Sequence, residues 1–269
     1  MIHFSEIERN ASEAGVPAET IEKDYCITWI LAAVFSKAEN ADIVFYGGTA
    51  IKKAYFPDYR FSEDLDFISQ DKLEIDDILG RMECLYAVVK DEANILLSTD
   101  KGTVNTDGDR SQFFITYDGF PEIGLDKRIK IDVMSKGDFL QKPVTKRLYC
   151  GYSDMKKLRT KLRVYTPEAI ITDKIATILS PVRAEPRDLY DLWFLLNNYR
   201  LDLGIIRANL LKKFGYELKP EMITPNLYNE LYKDRWNNRL SGQIANLPDF
   251  NKVLRETEAS LKNLGTTHQ

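Results

Sequence analysis

Histidine is nearly absent from this chain. Its 269 residues hold only His3 and His268, one close to each end, where chains tend to be poorly ordered. A serine–histidine triad or a histidine-ligated metal centre is therefore not expected, and chemistry must rest on carboxylates, lysine, arginine, hydroxyls or a bound cation. Cysteine is also scarce. Cys26, Cys84 and Cys150 form no CxxC pair, which argues against a zinc site and predicts reduced thiols in a cytoplasmic protein. The longest apolar stretch, residues 26–35, falls well short of the roughly 18 residues that a membrane helix needs, so no membrane segment is expected. The polar opening Met1-Ile2-His3-Phe4-Ser5-Glu6 does not read as a signal peptide. Neither GxxxxGK[ST] nor GxGxxG occurs, which leaves P-loop and dinucleotide-binding readings without support.

What is present describes an ordinary folded protein. With 44% hydrophobic and 29% charged residues, the chain can build a sizeable core without disulfides. Its length favours two domains, or one domain with a large helical appendage. The formal charge of −4 excludes a uniformly basic nucleic-acid binder. The charge is nonetheless uneven: residues 127–163 carry twelve Lys or Arg against Asp132, Asp138 and Asp154. That segment is either a solvated surface or a patch for an anionic partner.

Periodicity divides the chain into an α/β half and a helical half. Pro17 precedes a helix carrying Ile21, Tyr25, Trp29 and Ala33 at helical spacing. Residues 42–46 (DIVFY) read as a buried strand, broken by Gly47-Gly48 and followed by a short helix over 49–55 that ends before Pro57. Residues 64–68 alternate as a strand, 73–93 form a helix, and 102–110 form a loop. Two further strands are expected over 112–117 and 128–134. From Pro167 the pattern is helical, with helices over 167–179 and 186–199 and a break bracketed by Pro181 and Pro186. The expected fold class is α/β (α+β), with a mixed-sheet domain over residues 1–150 and a helical domain over 151–269.

Within a strand, residues i and i+2 share a face, so Asp64 and Asp66 project together while Leu65 and Phe67 turn to the core. Two adjacent carboxylates repel unless a cation lies between them, and an oxygen-only set suits Mg²⁺ or Mn²⁺. The motif alone also fits two solvated acids on an edge strand. The surrounding residues favour the metal: a strand, a Gly47-Gly48 corner and a helix start with the Thr49 hydroxyl make a cradle for phosphate. Lys52, Arg60 and Ser62 flank that corner and complete the candidate nucleotide-binding set. Asp132 lies in an alternating strand whose Ile129, Ile131 and Val133 face the core, so Asp132 and Lys130 face away. If that strand neighbours the DxD strand, Asp132 becomes a third metal ligand, in a cluster that could hold two metals on the attacking and leaving oxygens, and the acceptor of a hydroxyl proton. The alternative is a surface acid.

The stretch Phe45-Tyr46-Gly47-Gly48-Thr49-Ala50-Ile51, with Arg60-Phe61-Ser62-Glu63-Asp64-Leu65-Asp66-Phe67, closely resembles the signature of the AbiEii-type nucleotidyltransferases. These are toxins of AbiE and MenT-like toxin–antitoxin systems within the DNA polymerase beta-like superfamily. Glu22-Lys23-Asp24-Tyr25, Pro167-Glu168, Asp173-Lys174-Ile175 and Arg187-Asp188-Leu189-Tyr190-Asp191-Leu192 also resemble that family, over about residues 20 to 195. The resemblance implies a polymerase-beta-like domain that transfers a nucleotide from an NTP, releasing pyrophosphate, onto RNA (tRNA acceptor ends in some relatives) or protein; a small-molecule acceptor on the same scaffold is the alternative. It also implies GTP binding as an alternative and a cognate AbiEi-like antitoxin as partner. It places phosphate on Gly48 and Thr49, metal on Asp64 and Asp66, and phosphate or transition-state charge on Lys174. Asp188 or Asp191 would orient Lys174 or the acceptor. Asp132 comes from strand logic and not from a family motif, and nothing after Tyr199 matches one.

Overall fold

A computed structural model describes residues 1–124, 127–180 and 183–265; Pro181 and His268 lie outside the described residues. The chain divides into two compact units. The first comprises residues 1–139 and 143–165, and the second comprises residues 140–142 and 166–269.

The first unit is built on a seven-stranded mixed sheet. Its strands are β1 (Ile43–Tyr46), β2 (Asp64–Ser69), β3 (Leu97–Asp107), β4 (Arg110–Tyr117), β5 (Arg128–Met134), β6 (Val144–Arg147) and β7 (Lys161–Val164), in the spatial order β3-β4-β5-β2-β1-β7-β6. Strand β2 runs parallel to β5 and β1 parallel to β7; the other neighbours are antiparallel. Alternation fixes which face is inside, because a one-residue slip would turn every apolar side chain outward. Phe45, Leu65, Phe67, Phe113, Ile115, Ile129, Ile131 and Val133 are all essentially fully buried. The rings of Phe45 and Phe67, directly opposite in the β1–β2 register, lie 5.7 Å apart.

Helices α1 (Phe4–Ala14), α2 (Ala18–Val34) and α4 (Ile75–Ala93) belong to the same unit. A helix buried all round has no polar face, and α2 buries thirteen of its seventeen residues, Glu22 and Asp24 included. Such acids need partners. The Glu22 carboxylate accepts from the Phe120 amide, at 2.5 Å, and from Lys127, at 3.3 Å. Asp24 Oδ2 accepts from Lys53 and from the Tyr152 hydroxyl, each at 2.7 Å, while Lys53 also donates to Thr28. Burial raises the Asp24 pKa, but Lys53 and Lys52 outweigh it and hold that carboxyl below its ordinary value.

The short helix expected from Thr49 starts two residues earlier. Helix α3 (Gly47–Ala50) opens directly after β1 and widens into a π-turn over Ile51–Tyr55, an irregularity frequent at functional sites. The expected loop at 102–110 is largely strand, since β3 reaches Asp107. Its polar residues carry no apolar alternation because this is an edge strand, mostly exposed or half-buried, with a register shift between Asp100 and Asn105. Strands β6 and β7 were not evident in sequence; each is four residues long and rich in cations.

The second unit contains α5 (Pro167–Ile178), α6 (Pro186–Asn198), α7 (Leu203–Phe214), α8 (Pro220–Leu227), α9 (Glu230–Leu240) and α10 (Phe250–Gly265). Proline at the first helical turn starts α5, α6 and α8, and the side chains of Thr166, Asp202 and Asn229 cap α5, α7 and α9. Ile171, Ile175, Leu189, Leu192, Leu195, Leu210 and Leu261 are buried within it. Among the described residues no helix is long and apolar enough to cross a membrane.

The buried Asp24–Lys53 pair gives a stability prediction. Lys53→Met strands the Asp24 charge and should cost about 3–5 kcal/mol in urea unfolding, whereas Asp24→Leu combined with Lys53→Met should recover part of that loss. Equal losses in the single and double variants would contradict the pairing.

Candidate active site

Three of the candidate acids share one sheet face. The parallel β2–β5 register sets Asp66 opposite Asp132 and Asp64 opposite Lys130, and the β1–β2 register sets Tyr46 opposite Asp66. Directly opposed residues project to the same side. Asp64, Asp66, Lys130 and Asp132 therefore lie on the face away from Leu65, Phe67, Ile131 and Val133. Asp64 and Asp66 are half-buried, and Asp132 is buried.

The glycine corner is fitted to the DxD strand. Gly47 has φ +80°, in the left-handed region, and a Cβ built there would overlap Asp66 Oδ2 and come within 3.1 Å of its Cγ. Only glycine allows this approach. Thr49 is buried, and its hydroxyl donates to the Asp64 carbonyl at 2.5 Å, tying the start of α3 to β2. In this conformation that hydroxyl is spent on the strand. Gly48 is also buried within the corner.

The flanking basic residues hold the loop between α3 and β2. Lys52 donates to the Pro57 and Tyr59 carbonyls at 2.9 and 2.8 Å and lies 3.9 Å from the Phe61 ring centre. Burial, opposed by Asp24 and reinforced by Lys53, pushes its pKa down to about 8. Arg60 is buried and donates to the Phe61 carbonyl at 3.0 Å; Ser62 is also buried.

Asp132 is ion-paired on both oxygens. Arg110, at the start of β4, reaches Oδ1 with Nε and Nη2 at 2.9 and 2.7 Å, and Lys130 reaches Oδ2 at 2.6 Å. Among the described residues no group of three or more His, Cys, Asp or Glu is set to hold a metal. The donor chemistry of Asp64 and Asp66 still fits one hydrated divalent cation, since Mg²⁺ commonly takes one or two carboxylates and completes its shell with water and phosphate. The third carboxylate is not available to it in this arrangement. Strand periodicity located Asp132 but not Arg110, which lies 22 residues away in sequence.

The remaining candidates form a cluster in the helical unit. Lys174 on α5 bonds both Asp188 Oδ1 and Asp191 Oδ2 of α6, each at 2.6 Å, and Arg183 reaches Asp188 Oδ2 at 3.0 Å. The acids are three apart, on one helix face, and both are almost completely buried. Sequence reasoning offered either acid as the partner of Lys174; both are. Arg183 was missed, because the neighbouring residues gave it no pattern.

The glycine corner closed on the DxD strand, with a further acid on the adjoining parallel strand, lies on a mixed α/β sheet. The family model described as "Nucleotidyl transferase AbiEii toxin, Type IV TA system" matches residues 29–256, and the chain belongs to that family. Among solved structures it is similar to "MenT4, nucleotidyltransferase toxin Rv2826c from Mycobacterium tuberculosis H37Rv", with TM-score 0.70 and 17% identity over 98% of this chain and 90% of that one. No curated protein sequence matches the chain.

Gly47→Ala tests the corner. It should cost about 1–3 kcal/mol from backbone strain, with a further loss from displacing Asp66. An unchanged thermal melt would contradict the close approach.

Proposed function

We propose that the protein is a nucleotidyltransferase toxin that moves a nucleoside monophosphate from an NTP to an RNA acceptor, with tRNA as the expected substrate. The observation that carries this reading is the shared face of Asp64, Asp66 and Asp132 beside the Gly47 corner. In the reaction an acceptor hydroxyl oxygen bonds to the α-phosphorus, the bond from that phosphorus to the β-phosphate oxygen breaks, and pyrophosphate leaves. Asp64 and Asp66 would hold Mg²⁺ or Mn²⁺, which supplies neutralising charge to the phosphates. Gly47, Gly48 and the first turn of α3 offer backbone N–H groups to phosphate, and Lys52, Arg60 and Ser62 keep the flanking loop in place. Asp132 takes the hydroxyl proton once its oxygens are free to accept it. Lys174, steadied by Asp188 and Asp191, would meet a phosphate or the transition-state charge, as the resemblance of its motif implies. The toxin class implies a cognate antitoxin, which we take to be AbiEi-like.

One surface favours a polyanionic acceptor over a small molecule. In the β6–β7 register Arg147 lies directly opposite Lys161. Both are exposed, and neither has an ion-pair partner among the described residues. Like charges directly opposite destabilise a sheet, so this edge hairpin carries a cost that a phosphate backbone would relieve.

Incubation with Mg²⁺, each labelled NTP in turn and total tRNA or cell lysate tests the reaction. Label should enter RNA, and Asp64→Ala or Asp66→Ala should reduce transfer at least about a hundredfold. Label in protein instead would replace RNA as the acceptor, and tight NTP binding without pyrophosphate release would make the site a nucleotide sensor, GTP included. A variant carrying both Arg147→Ala and Lys161→Ala should flatten the dependence of log RNA affinity on log salt by about two. An unchanged slope would remove the hairpin from the acceptor surface.

A further inference from the structure

Arg110 stands out on the active face because it occupies a carboxylate that the proposed reaction needs. Its guanidinium places two donors on one oxygen of Asp132, while Lys130 takes the other oxygen. The three partners differ in freedom. The Asp132 side chain is 5% exposed and that of Arg110 is 50% exposed. Asp132 is therefore fixed in the sheet, whereas Arg110 can swing into solvent from the first position of β4. The contact is also diagonal: Gln112 is the residue directly opposite Asp132, and Arg110 is opposite Met134. Tyr46 and Asp66, as well as Asp132, contribute to the field at Arg110, so the guanidinium lies within electrostatic reach of the DxD strand. Removing it would not strand Asp132, since Lys130 remains.

We propose that Arg110 is a positioning residue that gates cation loading: in the nucleotide-free protein it holds Asp132 as an internal counter-ion, and it must release that carboxylate before Asp132 joins the site. The inference rests on the reading of Asp64 and Asp66 as cation ligands. While the gate is closed, the acidic face admits a cation only at the DxD pair. Opening the gate frees Asp132 Oδ1 and turns a mobile guanidinium toward solvent, where incoming phosphates supply a competing anion.

Titration of the intact, nucleotide-free protein with Mn²⁺, followed by the paramagnetic resonance of the free ion, tests the gate without any catalytic readout. Arg110→Gln should bind Mn²⁺ about tenfold more tightly than wild type, the change expected for removing one charge-assisted competitor. Adding Asp132→Asn to Arg110→Gln should cancel the gain. Arg110→Lys keeps the charge without the two-pronged contact and should fall between the two; it answers the same question if Arg110→Gln does not fold. Unchanged or weaker Mn²⁺ binding in the Arg110 variants, with binding still abolished by Asp66→Asn, would overturn the gate and leave the proposed function standing. Mn²⁺ binding that is absent, or indifferent to Asp66→Asn, would overturn both.

Discussion

The backbone of Gly47 lies against the carboxylate of Asp66 so closely that no other residue fits between them. That contact joins two elements that have separate reasons to exist. Strand β1 is a buried apolar strand whose chain must turn sharply at its end, and β2 is an alternating strand whose outward residues are acids. The β1–β2 register puts Tyr46 opposite Asp66, and the Thr49 hydroxyl secures the Asp64 carbonyl. The glycine corner and the DxD strand are consequently in direct contact. A phosphate bound at the corner would meet a cation bound at the acids without further movement of the backbone.

Charge is managed by the same economy of means throughout the first unit. Buried acids are paired, Asp24 with Lys53 and Glu22 with Lys127 and an amide, because an isolated buried charge is too costly. Asp132 follows that rule with Arg110 and Lys130. It differs in one respect: one of its partners is half exposed and replaceable. The structural pairs tie α2 to the π-turn at Lys53 and to the connection that precedes β5, while the Asp132 pair lies on the face that carries the candidate acids. In the second unit Lys174 is held by two buried acids, which orient its amine.

The central strands were legible because they are buried on one face, which writes their alternation into the sequence. Asp64, Asp66 and Asp132 fall on the expected face for that reason, and β2 and β5 are neighbours, a pairing that the pattern left open. Strand β3 left no such mark because solvent bathes it, and β6 and β7 are too short and too cationic to show a period. The start of α3 was displaced by two residues because glycine pairs usually break helices, whereas here they begin one. The Arg110 clamp was invisible for a different reason. It depends on a diagonal between two strands, and the register that creates it is a property of the folded sheet.

The most direct measurement is anomalous diffraction from crystals grown with Mn²⁺ and a non-hydrolysable NTP. The account predicts a peak shared by Asp64 and Asp66 at about 2.0–2.2 Å from a carboxylate oxygen of each, with the nucleotide's phosphates beside Gly47 and Gly48. Nucleotide bound without a peak at those two acids, or a peak elsewhere on the chain, would contradict it.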